Sequence, residues 1–158
     1  MSAFGSIAAN NATWASQLTG TVAGDDATAG NIGEIITASI GIGAGPSLTS
    51  TTPANVASIS LTAGDWDVTG QVIFEFTSAT QSGDSIAAIS ASSATLTGDM
   101  TDGYNALRLT TTTAKTAIAL PEKRFIQVGT LTRYLVAQAT FSAGTCKASG
   151  YIRARRVR

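Results

Sequence analysis

The sequence predicts an all-β fold, an antiparallel β-sandwich or barrel of about eight strands. Several segments alternate apolar and small polar residues with the two-residue period of a half-buried strand, most clearly Val56–Leu61 and Trp66–Phe76. Clusters of turn-forming residues separate these segments at short intervals, and almost no stretch has the periodicity of a helix. Among such architectures the jelly roll is the leading candidate.

Residues 1–33 differ in composition and are predicted to form an extended N-terminal arm before the β domain, residues 34–158. Asn11–Leu18 is compatible with one short helical turn capped by Asn11, and Gly20–Gly33 with a loop. Large apolar side chains in the arm favour burial over contact with water, so we expect the arm to dock on its own domain or on a neighbouring subunit. These side chains are Phe4, Ile7, Trp14 and Leu18.

The strands of the β domain are predicted in order from β-branched content and alternation. They are Glu34–Ile40, Val56–Leu61, Trp66–Phe76, Asp84–Leu96, Tyr104–Thr110, Arg124–Val128, Leu131–Phe141 and Cys146–Arg156. The last two are separated by the turn residues Ser142–Thr145 and are expected to pair as a long hairpin. The threonine run Thr110–Thr113 is expected to be an exposed β edge or a loop.

The strand Trp66–Phe76 has the clearest pattern. Five of its large apolar residues share one parity, which predicts that this face lies in the core. They are Trp66, Val68, Val72, Phe74 and Phe76. Gly70 interrupts the series, and a glycine inside a strand marks a bulge or a close approach of another backbone.

Composition excludes several kinds of chemistry. The 158 residues include one cysteine and no histidine, so an intrachain disulfide, a zinc site built on His and Cys, and a Ser-His-Asp or Cys-His catalytic site are all excluded. Charged residues make up 13%, about half the usual soluble share of ~25%. We therefore expect a protein that is not an enzyme and needs no cofactor.

The formal net charge of +0 conceals a division along the chain. Residues 1–107 contain nine acidic and no basic residues, and residues 108–158 contain ten basic residues and one acidic residue, Glu122. Such asymmetry fits either charge pairing between subunits or two halves that interleave and neutralise each other in one fold. Near-zero net charge also favours self-association, because the surface lacks charge repulsion.

Two motifs resemble ligand sites but fit them poorly. Gly41–Gly45 resembles a phosphate-binding loop, yet it lacks the Lys-Ser/Thr ending and precedes a proline and a strand rather than a helix. Asp65 and Asp67 share one face of a strand and could hold a cation, but no cleft or regular calcium spacing accompanies them. We interpret Gly41–Gly45 as a flexible loop, and Asp65 and Asp67 as solvated residues at the start of a strand. No metal site is therefore predicted.

The strongest charge cluster lies at the C-terminus. It contains Arg153, Arg155, Arg156 and Arg158. Arginine is preferred where a planar group must pair with a carboxylate, so these residues are candidates for ion pairs across a subunit contact or on the domain's own surface. Nucleic-acid binding is disfavoured, because Tyr151 is the only aromatic residue nearby and many carboxylates lie elsewhere.

The N-terminus has no basic region followed by an apolar run, and no stretch of about 18 apolar residues exists. We therefore expect no secretory signal and no membrane span. The unpaired Cys146 fits synthesis in a reducing cytoplasm.

Four segments together resemble a known group of proteins. They are the G-x-x-G-E entry within Asp26–Glu34, LTAGDWDV within Ile59–Gly70, YLVAQATF at Tyr134–Phe141, and YIRARRV within Ala148–Val157. These motifs are similar to those of small virion proteins and fibre-tip domains of tailed bacteriophages. The resemblance covers most of the chain from about residue 26 onward, implies a jelly-roll β-sandwich and carries over no catalytic residues.

The resemblance implies a virion structural protein, made in the host cytoplasm, in one of two places. As a capsid decoration or cement protein it would bind the major capsid protein, with the arm and the arginines as contacts. As a tail-fibre or spike tip it would bind the host surface. Decoration is preferred, because only about 33 residues precede the β domain. The resemblance and the net charge together favour a homotrimer.

Overall fold

The computed structural model describes residues 24–98, 103–107 and 115–158. These ranges contain nine β-strands and no helix, and hence no helix long and apolar enough to cross a membrane. The strands are β1 (Ile35–Ile40), β2 (Ser47–Leu48), β3 (Ala54–Leu61), β4 (Gly64–Thr77), β5 (Thr80–Ser90), β6 (Asn105–Leu107), β7 (Lys115–Gln127), β8 (Leu131–Ser142) and β9 (Thr145–Arg156).

Two antiparallel sheets form a sandwich. In the first sheet the order is β1-β9-β4-β7, with the short β2 also paired to β9, and in the second it is β3-β8-β5-β6. Apart from β2 and the β5–β6 pair, each successive strand lies in the other sheet, so the chain passes repeatedly across the core. Eight strands wound in this way form a jelly roll, which confirms the predicted fold class.

The core lies between the inner faces of the two sheets. The shared-parity series of β4 is buried along its full length, as predicted. The second sheet supplies fully buried partners from β3, β5 and β8, namely Leu61, Ile89 and Leu135. Because the apolar residues alternate with polar ones, the sequence can point one face of each strand into this layer and the other into solvent.

Gly70 has both features predicted for it. The pairing of β4 with β7 shifts register between Val68 and Gly70, which is a bulge. A Cβ at Gly70 would lie 2.9 Å from the carbonyl oxygen of Tyr151 and 3.3 Å from Leu135 Cδ1. The neighbouring strand and the opposite sheet therefore leave no room for a side chain.

The predicted hairpin between the last two strands is wrong. β8 pairs with β3 and β5, whereas β9 pairs with β1, β2 and β4 in the other sheet. The short β8–β9 connection is a corner between the sheets, and it lies beside the β4–β5 corner, since Thr145 pairs with Thr77 and Ser142 with Thr80. A tight turn that joins two neighbouring strands of one sheet has the same sequence features as a turn that joins strands of two different sheets. The sequence could therefore not distinguish a hairpin from a corner here.

Several strand limits also differ from the predictions. β5 begins at Thr80 and ends at Ser90, so Ala91–Leu96 lies outside it. β7 begins at Lys115, nine residues before its predicted start. Pro121 and the charged residues after it interrupt the apolar alternation, so the sequence did not indicate one continuous strand. The threonine run Thr110–Thr113 lies outside the described residues.

We expect Gly70→Ala to lower the free energy of unfolding by about 1–3 kcal/mol, because the added methyl group forces a backbone or Leu135 to move. Chemical denaturation of the purified protein measures this value. Gly41→Ala is the matched control, since nothing lies within 4 Å of its Cβ position. Equal stability of the two variants would contradict the close approach at Gly70.

Candidate assembly surface

The two oppositely charged parts of the chain neutralise each other within one domain. Four ion pairs in the described ranges each join an acidic residue from 1–107 to a basic residue from 108–158. They are Lys115–Glu75 (3.0 Å), Arg124–Asp67 (2.8 Å), Arg156–Glu34 (2.8 Å) and Arg158–Asp65 (3.1 Å). Of the two interpretations of the charge division, neutralisation within one fold therefore explains these eight residues, and no second subunit is needed to pair them.

Arg156 is the most tightly held of the four predicted arginines. It is 5% exposed, its Nε donates to Glu34 Oε2 at 2.8 Å, and its Nη1 donates to the carbonyl oxygen of Ala63 at 2.7 Å. Its Nη2 donates to Thr62 Oγ1, and its Cζ lies 4.2 Å from the centre of the Trp66 ring. These contacts occupy the whole guanidinium group within its own chain.

The turn between β3 and β4 is shaped around this guanidinium. Trp66 Nε1 donates to the carbonyl oxygen of Thr62 at 3.0 Å, which fixes the indole beneath the arginine. A Cβ at Gly64 would collide with Arg156 Nη1, and the φ of Gly64 is 137°, a value that side chains other than glycine rarely adopt. The LTAGDWDV segment thus encloses an arginine from the far end of the chain.

The two carboxylates considered for a cation site are both paired with arginines. Arg124 donates to both oxygens of Asp67, at 2.8 and 3.1 Å, and Arg158 pairs with Asp65. The hydrogen bonds from Arg124 hold the pKa of the Asp67 carboxyl below its ordinary value. The described part of the chain contains no group of three or more potential metal ligands from His, Cys, Asp and Glu.

Arg153 and Arg155 differ from the other arginines because both are exposed. They alternate with buried residues along β9, so both point away from the core. In the described ranges neither has a carboxylate within ion-pair distance. With Asp67, Thr69 and Glu122 they line a shallow depression of ≈ 130 Å³, which we call the arginine face.

The arginine face suits a single carboxylate better than a run of phosphates. A guanidinium offers paired donors that match the two oxygens of a carboxylate. Asp67 and Glu122, which also line the depression, would repel a polyanion such as a nucleic-acid backbone. The two exposed guanidinium groups can therefore bind a carboxylate.

The loop Gly41–Gly45 is held by protein contacts. The backbone N–H of Gly43 donates to Glu75 Oε2 at 2.8 Å, and Lys147 Nζ donates to the carbonyl oxygen of Gly43 at 2.9 Å. Gly45 lies against the backbone of Ala148, where a Cβ would collide with the carbonyl oxygen. The Gly43 amide that a phosphate would need is thus bound to a carboxylate, and Gly45 serves close packing against β9.

The remaining candidates contribute no site in the described ranges. Phe4, Ile7, Trp14 and Leu18 lie outside the described residues, so their predicted contact role stays a prediction. Cys146 is fully buried, and burial raises the pKa of its thiol to about 12, so the sulfur is protonated at neutral pH.

Sequence reasoning missed an exposed aliphatic group at one end of the sandwich, which we call the aliphatic tip. It consists of Ile126, Val128 and Leu131, which are 69%, 101% and 39% exposed. Ile126 and Val128 alternate with Phe125 and Gln127 as in a strand. Because charged residues precede this segment, the alternation alone does not show which of the two sets of residues faces the core, and the exposure of Ile126 and Val128 was missed.

No family model and no curated protein matches the sequence. One similar solved chain belongs to the structure of infectious bursal disease virus, Gx strain, with 12% sequence identity and a TM-score of 0.43. That similarity covers 86% of this chain and 36% of the viral chain, so the chain spans about a third of its length.

We expect Arg156→Met to destabilise the fold by about 3–5 kcal/mol, because it leaves the Glu34 carboxylate buried without its partner. The midpoint of urea unfolding and its slope measure the loss. Arg153→Met is the control, since its guanidinium is exposed, and it is expected to change stability by less than about 0.5 kcal/mol. A similar effect of both substitutions would contradict the structural role of Arg156.

We expect the acid stability of the domain to depend on Asp67 and Glu75. Hydrogen bonds from Arg124 and from Lys115 hold the pKa of these carboxyls below their ordinary values of 3.8 and 4.5. The stabilisation from each pair is therefore complete above pH 4.5 and is lost as the pH falls through the lowered values. The melting temperature of the native protein against that of Asp67→Asn or Glu75→Gln measures it.

The difference between native protein and each variant should be present at pH 7 and vanish at strongly acidic pH. In an Arg124→Met background, Asp67→Asn should have a much smaller effect, because only the attraction between Asp67 and the neighbouring Arg155 remains. A difference that persists unchanged at low pH would show that the substitutions act through packing instead.

Proposed function

We propose that this protein is a non-enzymatic virion structural protein, and that it decorates a capsid by binding coat subunits through the arginine face. The observation that carries the proposal is the strand order β1-β9-β4-β7 and β3-β8-β5-β6, built from the segments that resemble phage virion proteins. Jelly rolls with this winding occur in viral capsid domains, in lectin domains and in cupins. The step from fold to function is an analogy, so the site has to support it.

The chemistry of the chain distinguishes these three uses of the fold. Cupin-type metal chemistry relies on histidine ligands, and the sequence contains no histidine. The thiol of Cys146 is buried and protonated, and the paired carboxylates Asp65 and Asp67 are held by arginines. Of the functions found among jelly-roll proteins, the residues therefore support binding. The bound partner would be either a protein subunit or a ligand on a surface.

The arginine face supports binding to protein subunits. A decoration protein must add contacts that neighbouring coat subunits lose when they separate, so complementary charge and buried area do its work. Arg153 and Arg155 offer two exposed guanidinium groups in a shallow depression on the outer side of a sheet, beside the hydroxyl-bearing Thr69. An acidic side chain on a coat subunit is the complementary group.

A tail-fibre or spike tip is the alternative. It is favoured by Tyr151, which is exposed on the same outer face and is paired across the strands with Gln71. A phenol and an amide side by side can hydrogen-bond a neutral ligand on a host surface. Both alternatives are compatible with a homotrimer, and both place the protein on a virion.

We expect the double charge reversal of Arg153→Glu and Arg155→Glu to weaken binding to capsid shells by at least about tenfold, because like charges then face each other at the contact. Co-sedimentation of the purified protein with shells that lack it measures the affinity. Ser58→Glu with Ser60→Glu is the control, since it adds acidic groups to the outer face of the opposite sheet. Unchanged binding of the arginine variant would contradict this use of the arginine face.

An image of the intact virion separates the two locations. Many copies on the shell, with the arginine face against coat subunits, would agree with decoration. A few copies at the tail would contradict it and favour the fibre tip. Sedimentation of the free protein reports whether it is trimeric before assembly.

A further inference from the structure

We propose that the protein pairs with a second copy of itself along β1, so that the first sheets of the two copies join into one continuous sheet and their arginine faces meet. The inference concerns the free protein and does not depend on the virion function. It names a homodimer in place of the homotrimer that the resemblance favours.

One side of the sandwich is built from a segment without charge. Residues 35–64 contain no Asp, Glu, Lys or Arg, and β1, β2 and β3 all lie within them. β1 and β3 are edge strands of the two sheets and lie beside each other, and β2 continues the edge of β1 along β9. These three strands therefore contribute no charged side chain to this side, and the centre of a protein–protein interface is typically depleted of charge.

β1 lacks the features that protect the other described sheet edges. β7 contains Pro121 and the charged residues Glu122–Arg124, and β6 has only three residues. β3 shifts register against β8 between Asn55 and Ala57. Proline, charge, bulges and short length all discourage pairing with another chain. β1 has six residues without charge or proline, and its pairing with β9 has no register shift.

Three residues of β1 direct their backbone groups away from the sheet. The backbone N–H of Arg156 donates to the carbonyl oxygen of Glu34 at 2.9 Å, so the even-numbered residues of β1 are bonded to β9. Backbone groups alternate in direction along a strand, so Ile35, Thr37 and Ser39 point theirs to the other side. In the described ranges β1 pairs with β9 alone. The N–H and C=O groups of these three residues are therefore available to a partner strand.

The strand is complementary to itself in one antiparallel register. Residues directly opposite each other in such a pair point to the same face, so Thr37 can lie opposite Thr37 of the second copy, with Ile35 opposite Ser39. This register pairs all the available backbone groups. It also places Ile36 opposite Ala38 on the core side, where both already pack against the core. Paired threonines stabilise a sheet, and no like charges meet.

This pairing makes the arginine face continuous across the two copies. Thr37 is paired with Arg153 of β9, and Ile35 with Arg155. Arg153 of one copy and Arg153 of the other thus lie in one row, separated by three strand spacings of about 4.8 Å, or about 14 Å. A partner that presents two carboxylates at this spacing would bind both copies at once, and its apparent affinity would rise.

Cross-linking in the full-length chain tests the register. In the proposed pair the two Thr37 Cα atoms lie about 5.5 Å apart, which is within the range of a disulfide. Thr37→Cys is therefore expected to form a disulfide-linked dimer when oxidised glutathione is added, as seen by electrophoresis without reductant. Native Cys146 adds no cross-link, because it is fully buried and burial raises the pKa of its thiol to about 12.

Ser39→Cys is the matched control for the register. Ser39 is exposed and lies on the same strand and the same face as Thr37. In the proposed register the two Ser39 Cα atoms are offset along the strands by about 14 Å, which is too far for a disulfide. Ser39→Cys should therefore stay uncross-linked. Similar cross-linking of both variants, or none of Thr37→Cys, would overturn the proposal.

Sedimentation equilibrium of the free protein tests the pairing itself. We expect the native chain to sediment at twice its own mass at micromolar concentration. Thr37→Lys should weaken the dimer at least about tenfold, because two ammonium groups then meet at the twofold axis. Ala117→Lys is the control, since it adds the same charge to an exposed position of β7, at the opposite edge of the sheet. It should leave the dimer unchanged.

A native monomer or a native trimer would overturn the proposal, since a contact of one edge with itself closes at two copies. Equal dimerisation of Thr37→Lys and Ala117→Lys would overturn it too. Neither measurement involves capsid shells, so its result is separate from that of the binding experiment on the arginine face.

Discussion

The buried ion pair between Arg156 and Glu34 is the interaction on which the arrangement of this sandwich depends. It joins the residue before β1 to the last residue of β9, and the same guanidinium binds the β3–β4 turn and covers the Trp66 ring. Two charges are costly to bury, and the contacts offset that cost only in one geometry. Removing one partner is therefore expected to cost more than the intact pair contributes to stability.

The position of β9 follows from this constraint, and it determines which arginines are exposed on the surface. β9 lies between β1 and β4, so the C-terminal strand is central in its sheet. Because side chains alternate along a strand, a register that buries Arg156 must expose Arg155 and Arg153. One run of arginines is thus divided into a group that holds the fold together and a group that is available to a partner.

Much of the fold could be predicted from residue patterns. The shared parity of Trp66, Val68 and Phe74 located the core face, and Gly70 marked a bulge, because both depend on neighbours in sequence and on steric limits of the backbone. The predicted β8–β9 hairpin failed because sheet membership is set by long-range pairing, which a turn such as Ala143–Gly144 does not encode. The limits of the arm remain a prediction.

The site was less accessible to sequence reasoning, for a physical reason. The arginine cluster was recognised as a carboxylate-binding group, but the partner of Arg156 is 122 positions away along the chain, and no local pattern connects Glu34 to it. The same holds for Ile126 in the aliphatic tip, since it is exposed because the long-range pairing of β7 turns its parity away from the core.

The division of charge along the chain has a different meaning once the fold is considered. Glu34, just before β1, and the acidic strand β4 flank basic β9, and basic β7 lies on the other side of β4, so antiparallel pairing places opposite charges next to each other. The four ion pairs of the described ranges take up eight charged residues that pairing between subunits could otherwise use. A partner would therefore be recognised by the charged groups left outside these pairs, together with apolar area, and this limits where on the surface such a contact can form.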